Sequence, residues 1–366
     1  MKKLKFSDVF EDITRQGTKI QTSQYLACGK YQIIDQSQND IAGFTNREDG
    51  LFTGTPVIVF GDHTRVIKYV DRPCFFGADG VKLLKVKNDY LNCRYLYYVL
   101  LNAKIPDTGY NRHYKWLKEI DIPIYDAKIQ NIIVKMLDKI ADLIDKRKKQ
   151  LEKLDELVKS RFIEMFGDPE ENTFFWKEQP LSEHLSVIGG YAFKSDQFSK
   201  GGIPVLKIGN INSGTFKPVN LVYWEDDDTL SRYKMYPGDL VMSLTGTVGK
   251  DDYGNVCILG NDYDVYYLNQ RNAKLELCDT LNKYYLSMLL KFEPIKKKLT
   301  GISRGVRQAN ISNKDILNLT VPIPPIELQN QFAAFVEQVD KSKSEIKQGL
   351  EKLELLKKAL MQKYFR

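Results

Sequence analysis

The stretch Val321-Pro322-Ile323-Pro324-Pro325, followed by Leu350-Glu351-Lys352-Leu353, decides the fold because it repeats an earlier part of the chain. Ile122-Pro123-Ile124 and Leu151-Glu152-Lys153-Leu154 stand 199 residues before their matches, and no gap is needed between them. Phe166 falls on Phe365 at the same offset. A repeat at this spacing divides the chain into two halves, 1–168 and 169–366, which end in matching segments.

Both matching segments carry apolar residues at steps of three and four, with charged residues on the other faces. This spacing predicts one long helix over 126–168 and another over 326–366. Two such stripes in one chain favour pairing of the helices with each other over packing of each helix on its own globule. The chain must reverse direction between the copies, so the pairing is predicted to be antiparallel. The predicted interface residues are Ile140, Leu151, Leu154, Val339, Leu350 and Leu353.

Off this stripe the helices carry further apolar residues, which we expect to form a second face for partner proteins. The alternative is that they pack on the adjacent globules. They are Ile132, Leu137, Ile144, Phe335, Val336 and Leu355.

The regions 1–125 and 169–325 read as two globules. Short runs rich in Val, Ile, Tyr and Phe alternate there with clusters of Gly, Asn, Asp and Ser, which is typical of strands and turns. We predict strands at 57–60, 81–86, 205–208, 240–244 and 256–259, and helices at 94–101 and 283–291. The predicted fold class is mixed α/β, with two α/β globules and two long antiparallel coiled-coil helices.

Composition excludes several classes of protein. The chain has 366 residues, a net charge of +7 and 43% hydrophobic residues, which is typical of a globular protein. No apolar stretch is long enough to predict a membrane span, and the N-terminus lacks the pattern of a signal peptide. Five scattered cysteines without C-x-x-C spacing favour a reducing cytoplasm. The moderate basic excess permits a nucleic-acid partner without requiring one.

Motifs of catalysis and cofactor binding are weak or absent in the sequence. The three histidines have neither metal-ligand nor triad spacing. A phosphate loop ending in Gly249-Lys250 is disfavoured, because Leu244 and Asp251 replace its Gly and its Ser or Thr. We find no dinucleotide fingerprint and no Asn/Asp-Pro-Pro-aromatic motif of amino-methyltransferases. The sequence therefore predicts a non-catalytic chain without a metal site or a directly bound cofactor.

Loops of the globules carry Arg, Asn, Lys and Gln beside Gly and aromatic residues, which suits hydrogen bonding to base edges and phosphates. Each of these residues alone could be an ordinary solvated loop residue. Two clusters, 110–115 and 304–310, occupy corresponding places before the two long helices, and this correlation favours DNA binding there. The predicted DNA-binding residues are Asn46, Arg47, Arg65, Lys68, Asn111, Arg112, His113, Lys115, Thr245, Thr247, Lys250, Arg271, Arg304, Arg307, Gln308 and Asn310.

The repeat and its proline-rich entry resemble the repeated region of type I restriction–modification specificity (S) subunits. Gly238-Asp239-Leu240-Val241 and Thr245-Gly246-Thr247-Val248-Gly249 resemble segments of the target-recognition domains of that family. The first copy departs from the pattern, because Ile124-Tyr125-Asp126 replaces the prolines. The resemblance implies target-recognition domains at 1–125 and 169–325, and spacer helices at 126–168 and 326–366.

The resemblance also implies a function. Such a subunit reads a bipartite site in double-stranded DNA and is itself non-catalytic. The implied partners are two methyltransferase (M) subunits, which methylate adenine N6, and restriction/translocase (R) subunits. These partners would use S-adenosylmethionine, ATP and magnesium in the cytoplasm. The alternatives are a DNA-reading subunit of another defence or methylation complex, a coiled-coil interaction protein that does not bind DNA, or an enzyme whose motif is not recognisable.

Overall fold

The computed structural model describes residues 2–109, 111–301 and 308–366. Two of its helices have 40 residues each, Ala127–Phe166 and Ile326–Phe365. The chain divides into two compact units: the first comprises 1–149 and 347–366, and the second comprises 150–346. Each unit thus contains one globule and a part of both long helices. The helices are α1 (Phe6–Val9), α2 (Cys93–Leu101), α3 (Tyr114–Leu117), α4 (Ala127–Phe166), α5 (Lys283–Leu289), α6 (Glu293–Thr300), α7 (Asn313–Leu317) and α8 (Ile326–Phe365).

The first unit contains a two-stranded pair and two four-stranded sheets. Strand β1 is antiparallel to β10, and the sheets have the orders β2-β9-β6-β7 and β3-β8-β4-β5. The apolar core lies between the first of these sheets, helix α2 and the beginning of α4. The strands are β1 (Lys2–Lys5), β2 (Phe10–Asp12), β3 (Lys19–Ile20), β4 (Tyr31–Ile34), β5 (Gly43–Thr45), β6 (Val57–Gly61), β7 (Ile67–Val70), β8 (Cys74–Gly77), β9 (Val81–Val86) and β10 (Asp121–Ile124).

The second unit repeats this plan. Strand β11 is antiparallel to β22, and the sheets have the orders β12-β20-β16-β18 and β14-β13-β19-β15. An additional pair, β17-β21, lies beside them. The strands are β11 (Glu178–Pro180), β12 (Leu185–Gly189), β13 (Ile203–Leu206), β14 (Val222–Trp224), β15 (Lys234–Met235), β16 (Leu240–Ser243), β17 (Thr245–Thr247), β18 (Val256–Ile258), β19 (Tyr266–Leu268), β20 (Asn272–Leu277), β21 (Gln308–Asn310) and β22 (Thr320–Pro322).

One hydrogen-bond arrangement ties the globule to its long helix in the first unit. The backbone N–H of Asn92 donates to Gln130 Oε1 at 2.9 Å, and Asn92 Nδ2 donates to Asn131 Oδ1 at 2.8 Å. The buried hydroxyl of Tyr95 donates to the carbonyl of Pro123 at 2.8 Å. These bonds satisfy polar groups that would otherwise be costly to bury beside the apolar core.

The second unit has the same arrangement at the matching residues. Asn282 donates from its backbone N–H to Gln329 Oε1 and from Nδ2 to Asn330 Oδ1, both at 2.8 Å. The hydroxyl of Tyr285 donates to the carbonyl of Pro322 at 2.8 Å. The Gln-Asn pair at 130–131, which recurs at 329–330, therefore joins helix to globule in both units.

Within each unit, the parts of α4 and α8 run antiparallel, as predicted. In the first unit Tyr125 precedes α4 and donates to the carbonyl of Tyr364, whereas Lys148 lies 3.7 Å from Glu354. Later residues of α4 therefore lie beside earlier residues of α8, so the two helices run in opposite directions.

The second unit shows the same direction. The ring centroids of Phe162 and Phe332 are 5.4 Å apart, and Lys343 pairs with Asp155 at 2.7 Å. Of the six predicted interface residues, Ile140 and Val339 are buried. Leu151, Leu154, Leu350 and Leu353 are partly exposed, and Leu154 packs against the core of the second unit.

The predicted second apolar face needs correction at two positions. Leu137 is fully buried in the core of the first unit, and Val336 is buried in that of the second, so both pack on their own globules. Ile132 and Leu355 are exposed, at 52% and 66%.

Candidate nucleic-acid interface

In the first unit, the residues after β6 meet the segment that precedes α3. The backbone N–H of His113 donates to the carbonyl of Asp62 at 2.8 Å, and the N–H of Tyr114 donates to the Asp62 carboxylate at 2.7 Å. Strand β6 is an inner strand of its sheet, so it holds this junction on a rigid support. We call residues 62–65 together with 107–109 and 111–113 the first edge.

Arg65 links the two parts of the first edge. Its backbone is left-handed, with φ of 62°, and its guanidinium donates to the carboxylate of Asp107 at 2.7 Å. The backbone N–H of Gly109 and the Arg65 guanidinium lower the pKa of Asp107. The ion pair therefore joins the turn after β6 to the loop before α3. Asn111 and Arg112 lie exposed on that loop.

The second unit forms an equivalent edge with different side chains. The backbone N–H of Ile311 donates to the carbonyl of Leu244 at 2.8 Å, which matches the bond between His113 and Asp62. Beside it, β17 pairs with β21, so that Thr245 lies opposite Asn310 and their side chains are 3.3 Å apart. We call residues 244–247 together with 308–311 the second edge.

Two further predicted residues adjoin the second edge. The backbone N–H of Leu244 donates to the carbonyl of Arg271 at 2.9 Å, which brings this exposed arginine to the start of the edge. Lys250 is exposed and donates from its backbone N–H to the carbonyl of Thr247 at 3.0 Å. The structure therefore brings together Thr245, Thr247, Lys250, Arg271 and Asn310.

Other predicted residues lie apart from the edges. Asn46 and Arg47 follow β5, where Asn46 accepts a hydrogen bond from the backbone of Lys30 and Arg47 pairs with Asp49. Lys115 is exposed on α3, with its ammonium group 5.0 Å from the Trp116 ring. Arg304 and Arg307 lie outside the described residues, and the side chain of Gln308 is likewise not described.

His113 and Lys68, which the sequence predicts to bind DNA, are both buried in the first globule. His113 is 0% exposed, and its ring Nδ1 lies 3.0 Å from the carbonyl of Asp62. Lys68 is 5% exposed, donates to the carbonyl of Asn39 and lies 3.6 Å from Asp35. Both side chains contact backbone carbonyls of the first globule and thereby stabilise its fold. Thr245 is also largely buried, so Thr247 is the more accessible hydroxyl of the second edge.

Sequence reasoning missed helix α6 and the carboxylates that support the edges. The predicted helix at 283–291 stops before α6, although Pro294 in the first turn of α6 is a recognised signal for the start of a helix. It also did not select Asp62 and Asp107, whose roles depend on contacts with distant residues.

Within the described ranges, no group of three or more His, Cys, Asp or Glu side chains is placed to hold a metal ion. None of the helices in this part of the chain is long and apolar enough to cross a membrane.

Comparison with known proteins gives the family. The model described as type I restriction modification DNA specificity domain matches residues 1–156 and 175–356. The type I restriction enzyme MjaVIII specificity subunit of Methanocaldococcus jannaschii is 27% identical over 308 residues, covering 76% of this chain and 70% of that relative. The EcoBI specificity subunit of Escherichia coli is 22% identical over 324 residues, covering 77% and 67%.

Solved structures show the same fold. The S subunit of a type I restriction-modification system from M. genitalium aligns over 100% of this chain and 96% of its own, with a TM-score of 0.62 and 16% identity. A chain from a study of assembly and conformational transition of the type I R-M system aligns over 100% and 97%, with a TM-score of 0.52 and 16% identity. Since the family model matches both halves, the protein belongs to the family of type I restriction modification DNA specificity domains and has a DNA sequence-specificity role.

Proposed function

We propose that this chain reads a bipartite site in double-stranded DNA, with one unit reading each half. The supporting observation is the duplicated edge. The backbone bond between the residue after the inner strand and the segment before the long helix is 2.8 Å long in both units. The two edges nevertheless carry different side chains. Because the backbone hydrogen bonds of the two edges match while their exposed side chains differ, the two units suit recognition of two different half-sites.

The chemistry of the edges differs in a way that predicts different base preferences. Arg112 and Asn111 offer the first half-site an arginine fork and an amide, which pair well with guanine and adenine in the major groove. Thr247 and Asn310 offer the second half-site a hydroxyl and an amide, and Arg271 adds a charge. Arg65 is held by Asp107 and serves to position the first edge.

We also propose that the chain assembles with two methyltransferase subunits and with restriction subunits in the cytoplasm. The methyltransferase subunits would bind S-adenosylmethionine and methylate adenine N6, and the restriction subunits would use ATP and magnesium. The exposed Ile132 and Leu355 support a partner on the long helices, because large apolar side chains at such positions often mark interfaces.

The test uses the chain assembled with its methyltransferase and oligonucleotides randomised in one half-site at a time. Arg112→Ala should relax recognition at one position of one half, and Asn310→Ala should do the same in the other half. A lost bidentate base contact costs about 1–3 kcal/mol. Arg72→Ala is the matched control, since Arg72 is an exposed arginine of the first unit outside the edge.

Relaxation of the same half by both variants would refute the two-reader proposal. If neither variant changes sequence preference while the wild type has one, the reading surface lies outside the two edges. Arg307→Ala is predicted to behave like Asn310→Ala, because Arg307 immediately precedes the second edge in the sequence.

A further inference from the structure

The second unit contains a cavity of about 970 Å³. Three segments line it: the turn at 213–215, residues 249–255, and α6 with its flanking residues. Its size lies at the upper end of the range of ligand pockets. Four lysines, Lys250, Lys291, Lys296 and Lys297, line it together with two carboxylates. Its lining therefore has an excess of positive charge.

The four lysines have different surroundings. Lys296 is 9% exposed and donates to the carboxylate of Asp251 and, at 2.6 Å, to Asn255 Oδ1, so it is committed to the wall of the cavity. Lys297 pairs with Glu293 at 2.6 Å, but both side chains are largely exposed. An exposed pair of this kind contributes little stability and is readily exchanged for another anion.

Lys250 and Lys291 differ from these two. Among the described residues, neither ammonium group forms an ion pair within 4.0 Å. Desolvation lowers the pKa of Lys291, and the nearby Lys343 lowers it further, while Asp155 and Asp340 partly offset this. The side chains of Lys250 and Lys291 are both exposed to solvent, so an anion in the cavity can reach both ammonium groups.

The cavity adjoins the second edge along the chain on both sides. Gly249 and Lys250, which line it, follow β17 directly, and Thr300 and Gly301 line it a few residues before β21. On the β17 side the chain runs without a break from the second edge into the wall of the cavity, and the backbone N–H of Lys250 donates to the carbonyl of Thr247 at 3.0 Å. A duplex whose bases meet Thr247 would bring its backbone phosphates towards these lysines.

We propose that this cavity binds a phosphodiester of the DNA strand read by the second edge, with Lys250, Lys291 and Lys297 as the cations. This inference rests on the proposed function. Lys296 is a positioning residue, because it acts through Asp251 and Asn255. In the first unit, the chain passes from α2 to α3 through residues 102–113, and the described part of that stretch contains no helix like α6. The proposed phosphate site therefore belongs to the unit that reads the second half-site.

The test measures DNA affinity of the assembled complex over a series of salt concentrations, with duplexes that are correct or altered in the second half-site. Lys250→Gln and Lys297→Gln should each lower the slope of log affinity against log salt by about 0.9. A reduction of the slope by about 0.9 corresponds to roughly eightfold weaker binding near 0.1 M salt. The loss should be equal for both duplexes, because a phosphate contact carries no sequence information. Lys298→Gln is the control, since Lys298 is exposed on the same helix and does not line the cavity.

Wild-type slopes in both variants would overturn the phosphate site. Inorganic phosphate is added in a second arm without DNA. If it raises the unfolding temperature of the wild type only, while the DNA slopes stay unchanged, the cavity binds free phosphate and the proposal fails. A wild-type complex that binds DNA without any sequence preference would refute the proposed function instead. The salt slopes of the variants would still decide whether the cavity holds a phosphate.

Discussion

The two units have the same hydrogen-bonded frame, formed by Asn92, Gln130 and Asn131 in the first unit and by the matching residues in the second. They differ in the segment that lies between α2 and α3 in the first unit and between α5 and α7 in the second. In the first unit this segment is the short stretch 102–113, closed by the ion pair of Arg65 and Asp107. In the second it is longer and includes α6 and β21. The frame depends on the repeated residues, whereas the edges depend on residues that differ between the halves.

The edges show how a constant frame can present variable side chains. His113 and Ile311 donate the same backbone hydrogen bond to the residue after the inner strand, and both side chains are buried. The neighbours of these residues are exposed and unrelated: Arg112 in one unit and Asn310 in the other. Because the backbone bond is independent of side-chain type, recognition can change without loss of the fold.

The largest expected effect concerns the repeated phenylalanines. Phe166 packs in the second unit against the rings of Phe162, Tyr285 and Phe332, at 4.8–5.6 Å, and Phe365 packs in the first unit on Tyr95 at 5.6 Å. Phe166→Ala should cost about 3–5 kcal/mol. Phe365→Ala should cost about 1–3 kcal/mol, because Phe365 has fewer aromatic neighbours than Phe166 and is slightly more exposed.

Hydrogen exchange would separate the two variants. Phe166→Ala should reduce protection in α5, and Phe365→Ala should reduce protection in α2. Ile163→Ala, at a partly exposed site of the same helix, is the control. Loss of protection in α2 with Phe166→Ala would contradict the assignment of each phenylalanine to its unit.

A smaller effect, similar in the two units, is expected at the shared frame. Gln130 and Gln329 are buried, and each accepts from the backbone of an asparagine and donates to a backbone carbonyl at 2.8 Å. Replacement by Ala leaves these buried groups without partners, at a cost of about 1–3 kcal/mol per unit. Denaturant unfolding of each variant would measure this loss in the free energy of unfolding. Asn131→Ala and Asn330→Ala remove exposed hydrogen bonds and should cost less. Gln329 also donates to the carbonyl of Thr280 at 3.2 Å, so its cost should be slightly the larger. A larger cost at Gln130 would show that the frames are not equivalent.

The long helices and the main strands could be predicted from the sequence, because their apolar periodicity is local. Strands β6 and β9, for example, occupy 57–61 and 81–86, close to the predicted runs. The repeat also predicted the antiparallel pairing, since matching stripes need each other for burial. Element α6 was missed because its lysine-rich sequence has few apolar residues, although Pro294 marks its start.

The candidate site was predicted only in outline. The described residues of these clusters, 111–115 and 308–310, lie at or beside the two edges, and their contacts join residues that are 51 and 65 positions apart in the sequence. Residue type alone could not show that His113 and Lys68 are buried, because their partners, Asp62 and Asn39, become neighbours only in the folded unit. Burial is set by such tertiary contacts rather than by local sequence.

The smallest expected effect compares thiol reactivity in the two units and leaves stability unchanged. Burial raises the pKa of Cys74 in the first unit to about 12 and that of Cys257 in the second to about 11. Cys28 and Cys278 are exposed, one in each unit. Because the thiolate is the reactive form, alkylation at pH 8 should be at least about a hundredfold slower at the buried pair. A time course with iodoacetamide, followed by peptide mass spectrometry, measures the four rates. Urea should abolish the difference, since unfolding restores the ordinary pKa of each thiol. If Cys257 reacts as fast as Cys278 in the native protein while Cys74 stays protected, the second unit opens more readily than the first, and the equality of the two frames is broken.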